Sequence, residues 1–192
     1  MPRSNSYRGL NPLLQIMKRR RTTSLARIWR RLGIPADYAR RAERRLQPEA
    51  KRLVFIGRAL DDGRILRLTP RAAAAWKRMQ AAATKDAVTL LPLSAFRSVA
   101  RQTLIIRRKL ARGQSIEDIL RVSAVPGCSE HHTGRALDLG SPKEMKLTAA
   151  FARTREFRWL KRHAAKFGFH LSYPRGNRQG IAYEPWHWCW KD

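Results

Sequence analysis

Two short segments of this 192-residue chain concentrate histidines and acids at spacings that suit a metal site, PGCSEHHTGRALDLG at 126–140 and AYEPWHW at 182–188. Any fold that uses them together must return the chain to the same place. In the first segment His131 and Asp138 lie seven positions apart, with Gly134 between them to allow a sharp turn. Imidazole nitrogen and carboxylate oxygen both suit tetrahedral zinc. In the second segment His187 adds another imidazole, and Glu184 sits three residues before it. Side chains three apart on a regular strand point to opposite faces, so both reach one site only if the chain bends, and Pro185 gives a reason for a bend. Three ligands leave a fourth position for water, as catalytic zinc requires, and Glu184 would then serve as the general base. Singly, each histidine is more often an ordinary residue than a ligand. The combination carries the weight.

Charge sets the second constraint. The chain has 41 Lys plus Arg against 14 Asp plus Glu, a formal +27, and residues 1–50 alone carry 13 against 3. Such a surface attracts nucleic acid, anionic lipid, acidic wall polymer or lipopolysaccharide, and charge alone does not choose among them. With 43% apolar residues, including six Trp and six Phe, a sizeable core is expected and disorder throughout is excluded. No apolar run approaches the ~18 residues of a membrane span. The N-terminal LNPLLQIM, broken by Asn11 and Pro12 and followed by KRRR, makes a poor signal peptide. Cys128 and Cys189 are too few for a disulfide scaffold or a four-cysteine zinc site. They flank the two motifs, and buried free thiols are the expectation over a disulfide.

The organisation expected is a basic arm and helical extension over 1–50, then a catalytic domain over 51–192. Residues 1–22 show no periodicity and read as a mobile basic arm. Leu25, Ile28, Trp29 and Leu32 fall at helical spacing; Gly33 and Pro35 interrupt, and Asp37 could cap a second helix with Tyr38, Ala42 and Leu46. This reads as an amphipathic pair packed on the main domain rather than a DNA-reading helix-turn-helix. Residues 53–68 read as a hairpin about Asp62-Gly63. A helix over about 70–84 follows from Pro70 and four consecutive alanines. VTLLPLSAF reads as a strand, RSVARQTLIIRRKLARG as a helix ending at Gly113, and SIEDILRVSA as a short helix capped by Ser115 and Asp118. Thr154 caps a helix through Lys166 that buries Phe157, Leu160 and Ala164 and stops at Gly168. FHLSYP and GIAYEPWHWCW read as aromatic-rich strands joined by the turn residues of PRGNRQG.

SEHHTGRALD fits Ser-x-His-x-x-Gly-x-Ala-x-Asp and EPWH fits Glu-x-x-His, and together they resemble the VanY-type zinc D-alanyl-D-alanine carboxypeptidases of peptidase family M15. The likeness extends to Phe96, Arg97, Ser98 and Gln102 in LSAFRSVARQ, and to TREFRWLKRHAAKFGFHLSYP, so it covers about 70–190. It implies an α+β fold, a small antiparallel sheet flanked by helices of the Hedgehog/DD-peptidase kind, here with a basic helical N-terminal extension. It implies Zn2+ held by His131, Asp138 and His187, with Glu184 as the catalytic base. Arg97 would hold a substrate carboxylate or polarise the scissile carbonyl, and Ser129, Gln102 and Tyr173 would contact substrate. The implied reaction removes the C-terminal D-alanine from a peptidoglycan stem peptide by attack of a metal-bound water. Pro185 looks like the carboxypeptidase branch rather than the dipeptidase branch. An L,D-carboxypeptidase and an endolysin-type endopeptidase on the same scaffold stay open.

The chain departs from the family pattern at Ser172, where Arg often precedes Tyr-Pro, and at Cys189, where a basic residue is common. His132 is expected to face solvent or line the cleft, His163 to be exposed, and His170 to stay out of the site. The implied substrate lies outside the inner membrane although no export signal is evident, which leaves another export route, release on lysis, or trimming of wall fragments inside the cell. The non-enzyme alternative is a basic nucleic-acid binder with a structural metal site. It predicts binding that falls steeply with salt and survives loss of Glu184.

Overall fold

The computed structural model describes residues 24–191; the arm expected over 1–22 lies outside them. Helix α1 covers 24–31 and ends at Gly33, whose φ of 71° a side chain would disfavour. The second N-terminal helix is a single turn, α2 (Tyr38–Arg41), in which Asp37 makes no side-chain cap bond. Leu46, expected on its buried face, is 47% exposed.

The hairpin forms as β1 (Val54–Arg58) and β2 (Ile65–Leu68). Pro70 then opens α3 (Pro70–Lys85), where its missing N–H costs nothing, and the alanines carry the helix on. Strand β3 (Leu91–Ser94) follows, then α4 (Val99–Leu110) and α5 (Ile116–Arg121). Ser98 Oγ caps α4 by accepting from Arg101 N at 3.0 Å, and Ser115 Oγ caps α5 by accepting from Asp118 N at 3.1 Å. Strand β4 (Ala136–Gly140) has no counterpart in the sequence reading, because all five residues are buried and no alternation marks it. Helix α6 (Arg155–His163), capped by Thr154, tightens into a 3-10 turn before Gly168. Strands β5 (Phe169–Leu171) and β6 (His187–Trp190) complete the chain.

The four-stranded sheet runs β3-β4-β6-β5, every neighbour antiparallel. Ala72, Ala75, Trp76, Met79 and Ala83 of α3 share one core with Leu137, Leu139, Phe169 and Trp188 of the sheet and Trp159 and Leu160 of α6. A second core joins Trp29, Leu32 and Ile34 to Ile106, Ile119, Leu120 and Val125. The extension is thus a packed layer on α4 and α5. Trp29 Nε1 also donates to Pro126 O at 2.8 Å, pinning the loop that leads into the first motif. Trp29→Ala is expected to cost about 3–5 kcal/mol, the usual penalty for emptying a buried Trp site, measured by denaturant unfolding. Among the described residues no helix is long and apolar enough to cross a membrane.

Candidate metal centre and catalytic cleft

Strand register places the two motifs against each other. On the central pair of strands Asp138 lies directly opposite His187, and Ser94 of β3 pairs with Asp138 from the other side. His131 sits in a 3-10 turn over Glu130–Thr133 that ends at Gly134, where φ is 64°. A Cβ on Gly134 would also stand 2.8 Å from Leu53 Cδ2 and push that side chain aside, so the left-handed turn and the packing of the β1 lead-in both favour glycine. Residues 181–186 leave the strand path. His187 N donates back to Glu184 O at 3.1 Å and Glu184 N donates to Tyr173 O at 3.1 Å. That is the bend the Glu184–His187 spacing requires, and both side chains line one cleft.

His131, Asp138 and His187 are all buried, and one ligand atom from each lies within 4.8 Å of the others. His131 Nε2 stands 3.1 Å from Asp138 Oδ2 and His187 Nδ1 2.9 Å from Asp138 Oδ1. The outer nitrogens are occupied. His131 Nδ1 lies 2.7 Å from Ala95 O, which can only accept, so Nδ1 carries the proton and the Nε2 lone pair faces inward. His187 Nε2 lies 3.0 Å from Glu130 Oε2, an arrangement that fixes the ring with Nδ1 toward Asp138. Two oriented imidazoles and a carboxylate are a donor set that fits Zn2+ with a position left open.

Electrostatics agree with those roles for His131, Asp138 and Glu184. Burial holds His131 down at about 4, in the neutral form a ligand needs. Burial opposes ionisation of Asp138, but His131 and His187 outweigh it and keep the carboxylate charged. Burial likewise opposes a charge on His187, yet the hydrogen bonds to Asp138 and Glu130 lift it to about 10, so a metal ion at Nδ1 would displace a proton. Glu184 is pushed up to about 7 by burial, with Asp138 adding and His187 and Arg97 opposing. A carboxyl poised there can both accept and return a proton near neutral pH.

The remaining assigned residues fall in two groups. Arg97, Ser129 and Tyr173 line the cleft of about 430 Å³ together with the metal-centre residues. Arg97 donates from Nη1 to Gln102 Oε1 at 2.9 Å and from Nη2 to Ser94 Oγ at 3.2 Å and Asp138 Oδ2 at 3.5 Å. The Tyr173 ring packs on His187 with centroids 4.8 Å apart. Gln102 lies behind Arg97, 1% exposed, and its amide donates to Ala124 O at 2.6 Å. It touches the arginine rather than the cleft.

His132 differs from expectation. It is fully buried, with Nδ1 2.5 Å from Arg97 O and Nε2 accepting from Gly127 N at 3.1 Å. It clips the first motif to the chain carrying Arg97. His163, expected exposed, is half-buried against Trp159 with centroids 4.9 Å apart, while His170 is exposed. Cys128 and Cys189 are buried thiols, and burial raises Cys128 to about 11.

Sequence reasoning passed over Glu130. Burial opposes its charge, but the hydrogen bond from His187 brings it down to about 2, and Ser172 Oγ donates to it at 2.6 Å. Both departures from the family pattern, Ser172 and Cys189, fall beside this carboxylate. The available signal was its place next to His131.

Comparison with known proteins matches residues 65–192 to the family model VanY, described as D-alanyl-D-alanine carboxypeptidase. The YodJ protein of Bacillus subtilis is 37% identical over 121 residues, 60% of this chain and 43% of that protein. Among solved structures, that of the LdcB LD-carboxypeptidase, described as revealing the basis of peptidoglycan recognition, superposes with a TM-score of 0.66 at 31% identity, covering 74% of this chain and 69% of that one. A vancomycin-resistance D,D-pentapeptidase VanY of a VanB-type cassette, in complex with Zn(II), superposes with a TM-score of 0.56 at 25% identity, covering 77% and 84%. The chain spans only 19% to 43% of the length of the curated relatives it matches. The likeness nevertheless takes in most of this chain and contains the whole buried His131–Asp138–His187 centre with Glu184 beside it, so the chain belongs to the VanY family of D-alanyl-D-alanine carboxypeptidases.

Proposed function

We propose that this protein is a zinc carboxypeptidase that removes the C-terminal D-alanine from peptidoglycan stem peptides. The observation that carries the reading is a preorganised three-ligand centre with a proton-transfer carboxyl, Glu184, in the same cleft. His131, Asp138 and His187 would hold the zinc, which when bound polarises the scissile carbonyl and acidifies water. Glu184 takes a proton from the attacking water and hands it to the amide nitrogen as the C–N bond breaks, so the products are a new carboxylate and free alanine. Arg97 steadies Asp138 through Nη2 and presents its positive charge to the carbonyl oxygen as negative charge develops there. Ser129 and Tyr173 line the walls that orient the peptide.

The likeness to an LD-carboxypeptidase favours a second reading, cleavage of an L,D bond in a stem tetrapeptide. Mass spectrometry of synthetic muramyl pentapeptide and tetrapeptide, incubated with zinc-loaded protein, separates them. Loss of one alanine from the pentapeptide is the expected result. Loss from the tetrapeptide alone moves the assignment to the L,D bond, and two intact peptides refute the carboxypeptidase reading. We further assign the basic surface to retention on anionic wall polymer or lipopolysaccharide. Co-sedimentation with purified polymer should weaken steeply as salt rises; salt-independent binding refutes the assignment.

A further inference from the structure

A carboxypeptidase needs a cation for the free carboxylate that ends its substrate, and the cleft has two. Arg97 is already committed, its two terminal nitrogens donating to Gln102, Ser94 and Asp138. Lys109, in the last turn of α4, is not. Its neighbours Arg107 and Arg108 are exposed, whereas Lys109 is half-buried and lines the cleft. Its Nζ donates to Ser123 Oγ at 2.8 Å, and no ion pair found among the described residues includes it. An ammonium has three donors, so two remain for a ligand. Burial, and then the like charge of Arg97, disfavour the charged form of Lys109, with Glu184 only partly opposing. This cation is short of negative charge, and an anion placed beside it would relieve that cost.

The rest of the cleft agrees. Its lining cations are Arg97 and Lys109 and its lining acids Asp138 and Glu184, so the cleft carries no surplus of acids to repel an anionic chain end. Ser129, 3% exposed, contributes a second hydroxyl to the same lining.

Resting on the carboxypeptidase reading, we propose that Lys109, held in place by Ser123, receives the terminal carboxylate of the substrate peptide and so makes the enzyme selective for free chain ends. Arg97 is thereby left to the scissile carbonyl. The division of labour separates an exopeptidase from an internal peptidase on the same scaffold.

The test compares an acylated peptide ending in D-alanyl-D-alanine with its C-terminal carboxamide, on zinc-loaded wild type, Lys109→Met and Lys109→Arg. Wild type should prefer the acid in kcat/KM by on the order of 10- to 100-fold, the range for a charge-assisted hydrogen bond. Lys109→Met should lose that preference, chiefly through KM for the acid and with little change for the amide. Lys109→Arg should keep most of it, which also shows that the position tolerates substitution. An undiminished preference in Lys109→Met overturns the proposal. Should wild type cleave neither peptide, removal of D-alanine from a D-alanyl-D-alanine end fails as the reading, and calorimetric titration of the same peptides decides the Lys109 subsite alone. Acid-over-amide binding lost in Lys109→Met supports it; binding preference retained, or absent in wild type, overturns it.

Discussion

Glu184→Gln should lower kcat for stem-peptide hydrolysis by about 10²- to 10⁴-fold, the usual contribution of a positioned general base. The amide keeps the size and hydrogen-bonding capacity of the side chain but neither takes a proton from water nor returns one to the leaving amine. Because Glu184 lies outside the ligand cluster, zinc content by atomic absorption should stay near one per chain. The thermal midpoint should stay level or rise, since burial makes the Glu184 carboxylate costly in the folded protein. The sign follows from linkage: a carboxyl raised to about 7 binds its proton more tightly when folded, so at pH above its ordinary range it reduces stability. Unchanged hydrolysis by Glu184→Gln would remove Glu184 from the chemistry.

Asp138→Ala should abolish stoichiometric zinc binding, whereas Glu130→Gln should weaken it about 10- to 100-fold, the range for loss of a partner that orients a ligand. Asp138 is the group both histidines face. Without it, two imidazoles and water remain, and the ion loses its one carboxylate ligand. Glu130 acts one bond further out. Its carboxylate fixes which nitrogen of His187 faces inward, and the Gln amide can still accept from Nε2 but without the charge. Competition titration with a chromophoric chelator gives both constants. Equal zinc affinity in Glu130→Gln and wild type would reduce Glu130 to packing.

The outlines of this protein are written locally. Helix α3 is legible because Pro70 and the alanines act through backbone conformation alone, and α6 because Thr154 and Gly168 mark its two ends. The hairpin follows from Asp62-Gly63. The metal-ligand and base candidates are legible because few chemistries need two histidines and two acids at those spacings.

Strand β4 is not legible, and it is the strand that builds the site. Ala136, Leu137, Asp138, Leu139 and Gly140 are buried on both faces, so the period-two signal vanishes, and Ala, Asp and Gly are weak strand formers. The helix expected after Asp37 stops after one turn for the opposite reason. Its apolar spacing suits a helix, but the chain packs only Tyr38 and Ala39 against the second core and then turns away at Glu43, where φ is 49°.

The sequence by itself determined which residues have the chemistry for zinc and for proton transfer, since donor type and spacing are properties of a string. Only the tertiary structure decided what those residues and their neighbours face. Glu130 meets His187 57 positions away, and Gln102 is held behind Arg97 by a bond to Ala124 O 22 positions on. Lys109 turns inward while Arg107 and Arg108 stay in solvent because α4 packs at one rotation against α5 and the extension. A side chain's burial and partners are set by that packing, and nothing in the residue's own neighbourhood along the chain encodes them.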